Sequence, residues 1–230
     1  MSDRSVPPLE ATRLERPPDR PRSSRARLVA SRAVGVASIA LYNWWVVVVF
    51  DRHLLTSPDA FFSDLEAAGR PDASLLSHLD LAAGVLIVVA LLLRGPRSRG
   101  QERPEWKWLV GYGVAGAVGA QFPYACSEGL SHACRVAEWH LRLPVHHYVH
   151  IVSGIFEFAF ATWAIYLTWR RTRPSTGLSS RFISWVAVTL AIGYPVLGVA
   201  YLTNRLGAVV EPVFFLCFSA IALFELFESA

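Results

Sequence analysis

Six runs of apolar residues, at 33–50, 74–93, 106–125, 147–169, 182–202 and 207–227, constrain this chain more than any motif in it. A helix needs about 20 apolar residues to cross the hydrocarbon core of a bilayer. Each run is close to that length, and the segments between them are charged or rich in Pro and Gly. With 53% hydrophobic residues and mean hydropathy +0.35, such bunching excludes an ordinary soluble domain. The expected fold is all-α: a polytopic membrane protein built as a six-transmembrane-helix bundle. The first run contains polar Asn43 and the third is Gly-rich, so these two spans are the least marked. The first run is too long for a signal-peptide core and follows some 30 Arg/Pro-rich residues, which argues against a cleaved leader.

A net charge of +4 invites a nucleic-acid partner, but the distribution of charge argues for none. Of 22 Lys and Arg, 17 fall before the first run, between the second and third or at the start of the third (Lys107), or between the fourth and fifth. Arg52, Arg70, Arg135, Arg142 and Arg205 occupy the alternate loops. This is the positive-inside pattern. It predicts a multi-pass protein of the cell membrane with both termini cytoplasmic. Residues 1–32 are then a disordered basic cytoplasmic tail able to touch anionic lipid headgroups, and residues 33–230 form the six-span transmembrane domain.

Cys126 and Cys134 lie between the third and fourth runs, on the outer side by this topology. An oxidising compartment permits them to pair; the alternative is two unrelated thiols. Cys217 sits in the sixth run as a core thiol. Gly111, Gly113 and Gly116 spell G-x-G-x-x-G, but no strand precedes them, so the glycines are expected to serve close helix packing. Trp44 and Trp45 lie deep enough in the first run to pack between helices. Phe61 to Glu66 reads as a short amphipathic helix at the interface.

All seven histidines fall on the outer side of this topology, and Asp80 and Glu211 lie at similar depth with Glu157 deeper. If the fourth helix begins by Val145, His146, His150 and Glu157 share a face. The pairs His146/His150 and His147/His150 are spaced to put two imidazoles on one cation, and His78 and Asp80 on another helix could complete the set. Such ligands suit zinc, with an open position for a reactive water. A haem between His78 and His150 is the other cofactor such a pair could hold, but the inner face has no matching pair. The bland alternative is a set of amphipathic side chains near an interface. Carboxylates are costly in hydrocarbon, which favours gathering Asp80, Glu157 and Glu211 in one cavity with the histidines.

Ser63-Asp64-Leu65, Gly84, the Cys126/Cys134 pair and His146-His147-x-x-His150 together resemble a bacterial membrane-protein family known as domain of unknown function 998. The resemblance covers roughly residues 33–228 and implies an integral membrane protein of six spans with no established activity. A looser likeness, to the alkaline ceramidases and adiponectin receptors, rests on Ser77, His78, His146 and His150. Those proteins hold zinc near one membrane face with seven spans, whereas this chain has six runs and its H-x-x-x-H opens the fourth. Two functions are therefore expected to compete. The first is a non-enzymatic ligand-binding, sensing or transport-related protein for a lipid-like or small-molecule ligand. The second is a metal-dependent membrane hydrolase, with His78, His146, His147 and His150 on the metal and Asp80, Glu157 and Glu211 in catalysis.

Overall fold

The computed structural model describes residues 22–50, 57–98 and 101–228. Among these, the α-helices are α1 (Arg22–Tyr42), α2 (Trp45–Phe50), α3 (Ala73–Arg94), α4 (Trp106–Gln121), α5 (His132–Trp139), α6 (Val145–Thr172), α7 (Leu178–Thr203) and α8 (Gly207–Phe227). A one-turn 3-10 helix, Ser63–Glu66, precedes α3, and a two-residue hairpin, Arg97–Ser98 against Gln101–Glu102, precedes α4. Helices α3, α6, α7 and α8 are long and apolar enough to cross a membrane. Helix α4 has only 16 residues, and α1 opens in the basic segment.

The first apolar run is not one helix. The Asn43 amide donates to Ile39 O at 2.7 Å and to Ser219 Oγ at 2.8 Å, and its Oδ1 accepts from Trp45 Nε1 at 3.0 Å. An Asn side chain that competes for backbone partners interrupts a helix, and here α1 gives way to α2. Residue 32, the expected boundary of the tail, falls inside α1. Ser31 Oγ donates to Ala90 O at 2.7 Å and Arg27 Nη2 to Leu92 O at 3.0 Å, which packs this basic stretch on α3. Residues 1–21, together with Asp51, Arg52 and His53, lie outside the described residues.

The long helices close a ring. Helix α1 packs on α3, α3 on α4, α4 on α6, α6 on α7, α7 on α8, and α8 returns to α1. Glycine permits the tightest step. A Cβ at Gly113 would stand 2.5 Å from Ile87 Cγ2 and 3.0 Å from Gly84 O, and one at Gly84 would stand 2.7 Å from Gly113 O. Small residues drive helix association in a membrane by allowing such approach. Ile165, Ile183, Ile221 and Leu226 fill the half of the ring nearer the α6–α7 turn. Val89, Val114, Trp185, Val199 and Leu216 are exposed, a surface suited to lipid rather than water.

At that filled end an ion network ties three helices. Glu225 Oε2 and Glu228 Oε2 accept from Arg103 at 2.8 and 2.6 Å, while Glu225 Oε1 and Glu228 Oε1 accept from Arg171 at 2.8 and 2.7 Å. Glu105 Oε1 lies 2.9 Å from Arg171 Nη2. Arg94 adds a bond to the Glu228 carbonyl. The opposite end is plugged by the 3-10 segment. Instead of lying at the interface it is buried, with Phe62 wedged between Trp44 and Trp45 at ring distances of 6.0 and 5.9 Å. The two tryptophans thus pack internally, as their depth in the sequence implies.

Candidate functional site

The ring encloses a cavity of ≈ 800 Å³ beneath the plug. Along α6 its wall runs from His150 to Trp163, a depth of about 20 Å at 1.5 Å per residue. Asp64 and Glu66 from the plug, Asp80 from α3, Glu157 from α6, Glu211 from α8 and Glu128 from the loop before α5 all contribute carboxyls to it. Tyr42, Tyr112, Phe215 and Phe218 supply much of the remaining wall.

Two of these carboxyls hold the plug in place. Asp64 accepts from Phe61 N at 3.0 Å, Ser127 Oγ at 2.8 Å and Gly129 N at 3.2 Å, stitching the plug to the loop that carries the disulfide. Burial still keeps its carboxyl above the ordinary Asp range, because desolvation outweighs those bonds. Glu211 accepts from Phe62 N, so the start of α8 caps the 3-10 turn.

Glu66 and Asp80 form the chemical centre. Trp44 Nε1 donates to Asp80 Oδ1 at 2.7 Å. Glu66 lies against Asp80 and Ser77, and burial followed by the neighbouring Asp80 charge pushes it well above the usual carboxylate range. Its Oε2 is buried with no hydrogen-bond partner among the described residues. Two carboxyls in contact cannot both ionise in such a place, so the pair holds a proton or a cation. Deeper in the ring, the Tyr42 hydroxyl is buried without a hydrogen-bond partner among the described residues, beside Tyr112 and the Glu157 carboxyl. The tight approach of α4 leaves room for Glu157: a Cβ at Gly116 would come within 3.2 Å of its Oε1.

The histidines part company. His150 lines the cavity, with Nδ1 at 3.1 Å from both Gly119 O and Phe122 O. Nδ1 must therefore carry the proton, and its ring lies 4.0 Å from that of Tyr124. His147 is fully buried elsewhere. Its Nδ1 accepts from Ala125 N at 3.2 Å, so its Nε2 donates to Glu138 Oε2 at 2.8 Å, and Tyr201 donates to Glu138 Oε1 at 2.9 Å. This relay joins α5, α6 and α7 beneath the disulfide. His146 is exposed, one turn before His150 and outside the cavity wall. His78 is exposed too and turns back to the Ser74 carbonyl, lining with Ser77 a smaller cavity of ≈ 480 Å³. The expected metal set of His78, His146, His147 and His150 is thus not gathered, because one helical step sends His146 and His147 to different surroundings. Among the described residues no group of three or more His, Cys, Asp or Glu is placed to hold a metal ion. Of the expected catalytic carboxyls, Asp80, Glu157 and Glu211 do share the cavity.

Sequence reasoning gave Asp64 a place in the family motif but no role in the site, and gave Glu66 and Glu128 none. The signal was present as two carboxylates in one turn of Phe61-Phe62-Ser63-Asp64-Leu65-Glu66, a costly pattern at a lipid interface. Glu128 packs against Glu138; burial and that neighbour raise it to about 8. Cys126 and Cys134 are bonded, with Cα atoms 6.0 Å apart, and Cys217 is a free buried thiol.

No curated protein and no solved structure matches the chain. Of the motif residues, Asp64 is bonded to the disulfide loop, Gly84 packs against α4, and His147 and His150 both pack on Tyr124. The family described as "protein of unknown function (DUF998)" matches residues 26–224, and the chain belongs to it.

Proposed function

We propose that this protein is a six-span membrane protein, with both termini cytoplasmic, that receives a lipid-like ligand in the plugged cavity as a binding, sensing or transport component. The observation that carries the reading is a gap in the ring. Gly154 on α6 and Gly198 on α7 both line the cavity, yet a Cβ on either would meet nothing within 4 Å. Ile155, next to Gly154, is 63% exposed while still lining it. The plug closes the end of the ring, so a ligand enters sideways from the bilayer, tail first along an apolar and aromatic wall. Exposed Val114 and Val118 on α4 and Val36 on α1 support counting these helices among the spans. The disulfide supports placing the plugged end in an oxidising compartment.

The experiment is a blockade of the gap. Gly154→Phe and Gly198→Phe add bulk where there is open space and improve helix propensity, so the fold should persist. Purified native protein should carry about one amphiphile per chain by native mass spectrometry, and the double variant should carry none. Equal occupancy in both would refute the reading. For orientation, reporter fusions after Arg97 and Arg173 should report cytoplasm and one after Ser131 the outside.

A further inference from the structure

The charge of the cavity wall selects among ligands. Six carboxyls line it, and among the described residues no Arg or Lys does. Arg103 and Arg171 are engaged by glutamates at the far end of the ring. Arg70 lines the smaller cavity, which Glu66 also borders, and not the larger one. An anionic headgroup would find no Arg or Lys to pair with among the described residues of the wall.

Asp64 and Glu211 are occupied by the plug backbone, but two other carboxyls are not satisfied. Glu66 Oε2 and Glu128 Oε2 are buried, in residues 3% and 7% exposed, and neither has a hydrogen-bond partner among the described residues. Both residues line the cavity. Buried polar atoms in a folded protein find partners, so an orphaned acceptor facing a cavity marks the place of a missing donor. Two carboxyls in contact retain one negative charge between them, which one monovalent cation neutralises. Aromatic side chains line the same space: Tyr42 packs edge-on with Tyr112 at 5.9 Å and with Phe215 at 5.1 Å, and Trp44 donates its Nε1–H to Asp80. Carboxylate beside aromatic faces is the chemistry that recognises amines and quaternary ammonium groups.

We infer that the ligand is a cationic amphiphile, its amine or ammonium group seated at Glu66 and Asp80 among Tyr42, Trp44 and Tyr112. This rests on the cavity being a ligand site and adds the charge of the ligand. One negative charge at the Glu66–Asp80 pair, held away from water, sets the preference for cation over isosteric alcohol.

The test uses three probes of one chain length, decylammonium, decanol and decyl phosphate, with tetramethylammonium as a head without a tail. Binding to the full chain in a nonionic detergent is counted by native mass spectrometry. The expected result is saturable binding of decylammonium at least tenfold tighter than of decanol or decyl phosphate. That binding should be lost in the Gly154→Phe/Gly198→Phe variant and weakened at least tenfold by Asp80→Asn and by Glu66→Gln. These are near-isosteric changes, and an unaltered unfolding temperature establishes that each variant is folded; should Glu66→Gln not fold, Asp80→Asn alone decides. Equal binding of all three decyl probes would overturn the charge inference and leave the cavity reading standing. Tighter binding of decyl phosphate would overturn it outright. Binding of no probe would overturn both readings. Tetramethylammonium binding as tightly as decylammonium would uphold the charge and overturn the amphiphile.

Discussion

Glu225 provides the sharpest test of what holds the ring shut at its filled end. It is 2% exposed and stands between two arginines, 2.8 Å from Arg103 Nη1 and 2.8 Å from Arg171 Nη2, with Thr168 Oγ1 at 3.2 Å. Glu225→Gln keeps the shape but removes the charge and turns an amide NH₂ toward one guanidinium. Each hydrogen bond to a charged group contributes about 1.5–3 kcal/mol. Breaking one partner out of a buried ion cluster costs about 3–5 kcal/mol, since the remaining charge stays buried. The two routes agree on a loss of about 4 kcal/mol. At 2–4 °C per kcal/mol for a chain of this size, the unfolding midpoint should fall by about 8–16 °C. Tryptophan-fluorescence unfolding in detergent measures it, with a denaturant series guarding against scan-rate effects. Replacing both Arg103 and Glu225 by apolar residues should cost less than Glu225→Gln, because no lone charge is left behind. A Glu225→Gln protein within 1 kcal/mol of native, or a pair whose costs simply add, would refute this reasoning.

Three further outcomes follow from the same structure. Glu128 titrates near 8 when folded against 4.5 unfolded; the folded state therefore binds more protons between these values and stability should fall as pH rises through that window, a slope that Glu128→Gln should flatten in thermal melts from pH 5 to 8.5. The disulfide closes a loop with a sequence separation of 8; Cys126→Ser with Cys134→Ser should lose about 2.5 kcal/mol by loop-closure entropy, and alkylation of the denatured native chain should find one thiol before reduction and three after. Gly113→Leu should cost about 1–3 kcal/mol or more by forcing α3 from α4, whereas the same change at Gly154, where space is open, should leave the unfolding midpoint unmoved.

What the sequence by itself determined was where helices run and what they exclude. Apolar length alone marks α3, α6, α7 and α8 as spans, since a helix satisfies its own backbone wherever water is missing. The fourth run, expected at 147–169, falls inside α6, and the pairing of Cys126 with Cys134 bears out the expectation drawn from their shared loop. The depth of Asp80, Glu157 and Glu211 along their spans was legible too, because rise per residue is fixed by the helix itself. Direction across a helix was not. His146, His147 and His150 stand within one and a half turns, yet one is exposed, one fully buried against Glu138, and one in the cavity wall. Which neighbour each meets depends on the azimuth at which α6 packs against α4, and that is set by Gly116 and Gly119 on a helix remote in sequence. Glu66 shows the same limit. At the end of a short amphipathic helix it reads as lying at the interface; only the tertiary fold tucks its turn into the ring, where Glu211 caps it and Asp80 meets it. The packing of α8 and the disulfide loop on the plug converts an ordinary loop carboxylate into a buried, unsatisfied acceptor, because the bonds that bury it come from residues more than 60 positions away.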